Sequence, residues 1–251
     1  MTRKHAIRQR YSTRPPANSL AAHPATKFAH MARLRRALYR FLSAIFLPPR
    51  EERHRELIEA AQTIWADRTL LAQFQWYLHW QPLLGRLTDE NPPSLDELLR
   101  AYTSLFVVGP GGRPSCPLYA SSYLDPNRRL AGVISLHVEQ IYRTTGFALS
   151  PQIHDFPDHL AIELEFAAVL CEHEAEAWET TIAERVRAVL QRERYFLERF
   201  VGSWLPELAH RLVQHDTTGL YSAAADASNA LVQHDLDLLA ALLSRVDEVQ
   251  L

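Results

Sequence analysis

The chain has 251 residues, 47% of them apolar and 22% charged, with a formal net charge of -2. That length accommodates one or two domains, and the composition excludes a disordered polymer and a membrane bundle. Only eight glycines occur, few for a fold that cradles nucleotides on tight glycine turns, so the chain leans helical. Its two cysteines, Cys116 and Cys171, cannot frame a secreted mini-domain, and a reducing compartment, the cytoplasm, is expected.

The net charge hides an asymmetry. Residues 1–50 hold 11 of the 27 Lys and Arg and no Asp or Glu; residues 51–251 hold 16 against 29, a formal -13. A basic head precedes an acidic body that repels phosphate backbones and attracts basic peptides.

In chain order, residues 1–28 carry Pro15, Pro16 and Pro24 among scattered Arg and His without periodicity. They read as a flexible basic tail before one helical domain over 29–251. Residues 31–47, MARLRRALYRFLSAIFL, pair Arg35-Arg36 with an apolar run, as a twin-arginine signal would. However, Arg40 interrupts the run, Pro48-Pro49 end it and no A-x-A site follows. Leu34, Leu38, Phe41 and Ile45 instead mark one buried stripe of a helix. No stretch reaches the roughly 18 apolar residues of a membrane span.

A second helix starts after Pro48-Pro49 at Arg50-Glu51-Glu52, and Leu71, Phe74 and Leu78 place a third over 68–87. Ser94-Leu95-Asp96-Glu97 is a capping box opening a fourth, carried on by Leu98, Leu99, Tyr102, Leu105 and Phe106. Residues 109–126 hold four prolines and three glycines and predict a long loop. It lacks the Gly-Lys-Ser/Thr of a phosphate loop. Further helices are expected over 128–145, 156–177, 179–200, 203–215 and 221–246. Without strand alternation or an internal repeat, the expectation is an all-α, single-domain bundle of about eight to nine helices split by a long central loop.

The most informative segment is Asp155–Cys171. Leu160, Leu164, Ala167 and Cys171 form one apolar stripe and Ile162, Phe166 and Leu170 another nearly opposite, so this helix packs on both sides. His159 and Glu163 share the second stripe at i and i+4, with Asp158 and Glu165 beside it. Buried charge of this kind needs partners. Three readings compete. One is local: Asp158 as an N-terminal cap or first-turn anion and a His159–Glu163 hydrogen bond. Another is a metal site or helical-bundle metallohydrolase drawing on His154, Asp155, Asp158, His159, Glu163 and His173, although no recognised ligand spacing is present. The third is a peptide site whose carboxylates receive guanidinium groups. Trp65, Trp76 and Trp80 are potential groove aromatics whose spacing also suits a core.

Taken together, Tyr102-x-x-Leu105-Phe106, Gly109, Pro117-Leu118-Tyr119-Ala120-Ser121-Ser122-Tyr123 and Pro157-Asp158-His159-Leu160-x-x-Glu163-Leu164-Glu165-Phe166 resemble the TorD/DmsD/NarJ family over about residues 32–215. The resemblance implies an all-α cytoplasmic chaperone with no catalytic residues, metal or cofactor. Such a chaperone binds the twin-arginine signal peptide of an apo molybdoenzyme and holds back export until the cofactor is in place. It assigns Asp158 and His159 to the signal-binding pair and Pro117, Tyr119 and Tyr123 to a second motif. Ala120 departs from the acidic residue common at its position. Chemistry adds Glu163, Glu165 and Phe166, carboxylates beside apolar surface. A structural subunit of a membrane oxidoreductase is the remaining alternative, and a domain-swapped dimer is compatible with the long loop. The basic tail could lie across the acidic body and compete with a peptide in cis.

Overall fold

A computed structural model describes residues 24–109, 111–149 and 155–246. Among them every regular element is a helix, and the sole β-type pairing is one isolated antiparallel bridge between Tyr119 and His159. No described helix is long and apolar enough to cross a membrane.

Helix α1 spans Pro24–Ile45, starting four residues before the expected edge of the tail; residues 1–23 lie outside the described residues. Leu38, Phe41 and Ile45 are buried as the stripe requires, with Leu34 packed at the margin. Helix α2 is Glu51–Ala66. The third expected helix is two pieces, α3 (Arg68–Leu71) and α4 (Tyr77–Thr88). The break at 72–76 turns Trp76 inward, where it meets Trp80 edge-on at 5.5 Å. Both indoles are buried, so they are core and not groove.

The capping box forms as read: the Glu97 N–H donates to Ser94 Oγ and the Ser94 N–H to Glu97 Oε2, opening α5 (Leu95–Tyr102). The helix then widens into a π-helical turn over Thr103–Val107, with the Val108 N–H reaching back to Thr103 O. Within the predicted loop lies one helical turn, α6 (Ser121–Leu124). Helix α7 (Val133–Thr144) starts five residues later than expected, because Asp125 side chain and carbonyl hold a turn by accepting the N–H groups of Asn127 and Arg128.

Helix α8 (Leu160–Thr180) is the centre of the molecule, buried on both sides as its double stripe predicts. It packs most extensively against α1 and also on α9 (Ala183–Phe196). A second π-helical turn, Leu197–Val201, leads into α10 (Gly202–His215), and α11 (Leu220–Arg245) lies against α10, α4, α9 and α1.

Candidate functional site

The two segments that carry the family-like motifs meet in space. The Leu160 N–H donates to Leu118 O at 2.8 Å and the Ala120 N–H to Asp158 O at 3.0 Å, which is the backbone content of the Tyr119–His159 bridge. The loop over 117–123 is thereby fastened to the entrance of α8. Its own geometry is stabilised from within, because the Tyr123 hydroxyl donates to Pro117 O at 2.9 Å.

Helix α8 begins at Leu160 and not at 156, since His159 is its N-cap: the Ala161 N–H donates to His159 Nδ1 at 3.1 Å. This corrects the helical-wheel placement of the motif residues. Asp158 and His159 precede the helix, so they do not share a face with Glu163 and Glu165. Asp158 is no first-turn anion of α8. Its fully buried carboxylate accepts the Ser121 N–H at 2.9 Å and the Ser135 hydroxyl at 2.5 Å, tying the starts of α6 and α7 to the motif.

No His159–Glu163 hydrogen bond forms. Glu163 Oε2 instead accepts the Trp204 indole N–H at 3.0 Å, while Glu163 Oε1 is buried without a partner. Burial pushes the Glu163 carboxyl well above the ordinary range, against the Trp204 hydrogen bond and with help from Asp158. Burial likewise lowers the His159 pKa, with Asp155 and Asp158 opposing.

Phe166 is also placed differently from the apolar groove residue expected. It is fully buried between Tyr142 at 4.4 Å, Phe196 at 4.7 Å and Phe147 at 5.3 Å. A large apolar ring on the most enclosed helix goes to the core, where burial contributes about 2–3 kcal/mol.

The groups that reach solvent are different ones. Glu165, its side chain 38% exposed, meets Arg40 Nε of α1 at 3.2 Å; burial raises its carboxyl while Arg40 and Arg36 oppose. Asp155, 35% exposed at its side chain, accepts the half-buried Tyr119 hydroxyl at 2.8 Å and lies 3.8 Å from His159 Nε2. Phe156 is exposed and packs edge-on to Tyr119 at 5.9 Å, and the Tyr119 ring also meets His159 at 5.2 Å. Tyr123 is stacked on Trp204 at 5.1 Å and covered by the Arg211 guanidinium at 5.0 Å. Ala120 is fully buried at the bridge, so an acid here would be enclosed.

The metallohydrolase constellation does not assemble. His154 lies outside the described residues, His159 Nδ1 is engaged by Ala161 and Glu163 by Trp204. Among the described residues the grouping with metal-ligand proximity is Cys171, Glu193 and Asp235, deep in the bundle.

Sequence reasoning missed the buried cluster around Arg35. Arg35, Leu38, Tyr39 and Leu42 recur at i, i+3, i+4 and i+7 on the buried face of α1, and that spacing is the signal that could have found it.

Comparisons with known proteins agree with this architecture. Residues 49–210 match the family described as nitrate reductase delta subunit. A chaperone protein TorD from Vibrio cholerae serotype O1 is 32% identical over 165 residues, covering 66% of this chain and 72% of that protein. Another from Shewanella pealeana is 29% identical over 216 residues, covering 82% and 90%. A selenate reductase assembly chaperone protein from Thauera selenatis is 31% identical over 171 residues, covering 66% and 84%. Among solved structures, a redox enzyme maturation protein from Archaeoglobus fulgidus has the same fold, with a TM-score of 0.50 at 22% identity over 79% of this chain and 93% of that one. The chain therefore belongs to the nitrate reductase delta subunit family, alongside the TorD chaperones it resembles.

Proposed function

We propose that this chain is a cytoplasmic maturation chaperone that binds the twin-arginine signal peptide of a molybdopterin oxidoreductase catalytic subunit and delays its export until the cofactor is inserted. The observation that carries the reading is the backbone bridge joining the 117–123 loop to the Asp158–His159 entrance of α8. It gathers partly exposed carboxylate and aromatic surface around one fixed point.

The eight residues expected to bind peptide divide into two roles in this proposal. Tyr119, Pro117, Tyr123 and Glu165, joined by Asp155 and Phe156, are the groups that touch it. Asp158, His159, Glu163 and Phe166, all buried, hold those groups in place. A twin-arginine peptide offers two guanidinium groups followed by an apolar run, which suits carboxylates next to aromatic rings. The Arg40–Glu165 pair is half exposed, and pairs of that kind are worth only about 0–1 kcal/mol, so an incoming guanidinium can share or displace it. Residues 24–251, α1 included, hold 22 Lys and Arg against 29 Asp and Glu, a formal -7, which adds long-range attraction to a basic peptide.

Affinity purification of the tagged full chain with mass spectrometry of what copurifies tests the role. Enrichment of a molybdoenzyme precursor that still carries its signal supports it. Recovery of the mature enzyme in a permanent complex supports a structural subunit and overturns it.

A further inference from the structure

We propose that Glu193 is held as a neutral carboxylic acid inside the bundle, and that this one proton locks α1 to α8, α9 and α11. The inference concerns the Arg35 cluster and does not depend on the peptide reading.

Arg35 enters the core from α1 and spreads its guanidinium over three helices. Nε donates to Asp235 Oδ2 of α11 at 2.9 Å, Nη1 to Glu174 Oε2 of α8 at 2.5 Å, and Nη2 to Glu193 Oε1 of α9. All four side chains are buried, none more than 4% exposed. Three carboxylates around one guanidinium leave two negative charges in excess where no water reaches. Such an excess is not tolerated without protons or cations to balance it.

The neutral donors facing the cluster are few and can be assigned one by one. The Tyr39 hydroxyl of α1 donates to Asp235 Oδ2 at 2.8 Å, the Trp178 indole of α8 to Glu174 Oε1 at 3.0 Å, and the Cys171 thiol of α8 to Glu193 Oε1 at 3.4 Å. Glu174 then has both oxygens satisfied, and Asp235 receives a guanidinium and a phenol on one oxygen. Glu193 is left with a guanidinium and only a weak thiol donor, and its Oε2, like Asp235 Oδ1, is buried without a partner. Glu193 is thus the least well solvated of the three anions. A proton on it removes one excess charge and converts an orphan acceptor into a donor.

The electrostatics run the same way. Burial pushes the Glu193 carboxyl well above the usual carboxylate range; Arg35 opposes, Glu174 and Asp235 reinforce, and the Cys171 hydrogen bond opposes. Burial also raises Cys171, which keeps its sulfur a neutral donor. The competing occupant is a divalent cation, because Cys171, Glu193 and Asp235 place ligand atoms within 4.8 Å of one another. We favour the proton because the Arg35 guanidinium already occupies both carboxylates, and its charge opposes a second cation there.

The lock matters for the site because α1 also braces the start of α8. The Ser43 hydroxyl donates to Ala161 O at 2.7 Å, and Arg40 holds Glu165. Deprotonating Glu193 weakens the seating of the helix that positions both.

The sign follows from linkage. A carboxyl raised in the folded chain contributes stability that is complete below its unfolded value of about 4.3 and is lost as pH rises toward the folded value. The test is denaturant unfolding of the full chain from pH 5 to 9 for the parent, Glu193→Gln, Glu174→Gln and Asp235→Asn, with metal analysis of the parent. The expected result is that the parent's folding constant falls relative to Glu193→Gln by about tenfold per pH unit across the window below the folded value. At neutral pH Glu193→Gln should be as stable as the parent or more so, whereas Glu174→Gln and Asp235→Asn should unfold at lower denaturant. Difference infrared spectroscopy of the parent should show a protonated carboxylic acid band that disappears in Glu193→Gln. Parallel pH profiles for parent and Glu193→Gln overturn the proposal. So does a Glu193→Gln chain as damaged as Asp235→Asn or unable to fold, and so does one equivalent of bound metal that this variant loses.

Discussion

Replacing Asp158 by Ala removes the acceptor that joins three segments of the candidate site. The carboxylate is fully buried and receives the Ser121 N–H at 2.9 Å and the Ser135 hydroxyl at 2.5 Å. Each donor left buried without a partner costs about 1–3 kcal/mol, partly offset because the carboxylate itself no longer has to be desolvated. A net loss of about 3 kcal/mol is expected, a large share of the roughly 5–15 kcal/mol that holds a domain together. With urea slopes of about 1–3 kcal/mol/M, the denaturation midpoint should drop by about 1 M or more. Asp158→Asn, which keeps one acceptor oxygen, should lose about half as much. The Ser135→Ala and Asp158→Ala double mutant should be non-additive by about 1–2 kcal/mol. An unchanged midpoint in Asp158→Ala, together with strict additivity, would refute the assignment of Asp158 as the internal tie.

Burial lowers the His159 pKa in the folded chain, where Nδ1 accepts the Ala161 N–H, while the unfolded chain binds a proton near pH 6.5, so stability should fall as pH drops below about 6.5. Asn retains an N-cap acceptor, and urea unfolding at pH 5.5 and 7.5 should show a flatter response in His159→Asn than in the parent; equal slopes would contradict this. At Gly109 an added Cβ would stand 2.8 Å from Arg113 O, Ser104 O and Ser115 Oγ; Gly109→Ala should cost about 1–3 kcal/mol by thermal unfolding through overpacking. Removing residues 1–23, which carry Arg3, Lys4, Arg8, Arg10 and Arg14, should tighten binding of a twin-arginine peptide, most at low salt. Equal affinities for full and shortened chains would exclude competition by the tail.

The helical fold was legible because α8 and α11 bury long apolar faces and α5 carries its own cap. The entrance to α8 was not, because a helical wheel assumes that the helix already exists. What ends it at Leu160 is a side chain returning to its own backbone and a carboxylate serving Ser121 and Ser135, contacts set by tertiary structure. The same limit applies to Phe166 and Glu163. Their residue types suit a groove as well as a core, and only the packing of α7, α9 and α10 decides. The Arg35 cluster was missed for a related reason: nothing local in the sequence joins Arg35 to Glu174, Glu193 and Asp235, which arrive from three other helices.

Titration calorimetry of the full chain with a peptide bearing a twin-arginine pair and its apolar run, against the same peptide with both arginines replaced by lysine, tests the central claim. The account predicts saturable binding of the arginine peptide that weakens with salt, with lysine substitution and in Glu165→Gln, because forked guanidinium groups pair with carboxylates better than a point charge does. Absence of binding, or equal binding of both peptides that Glu165→Gln leaves untouched, would contradict it.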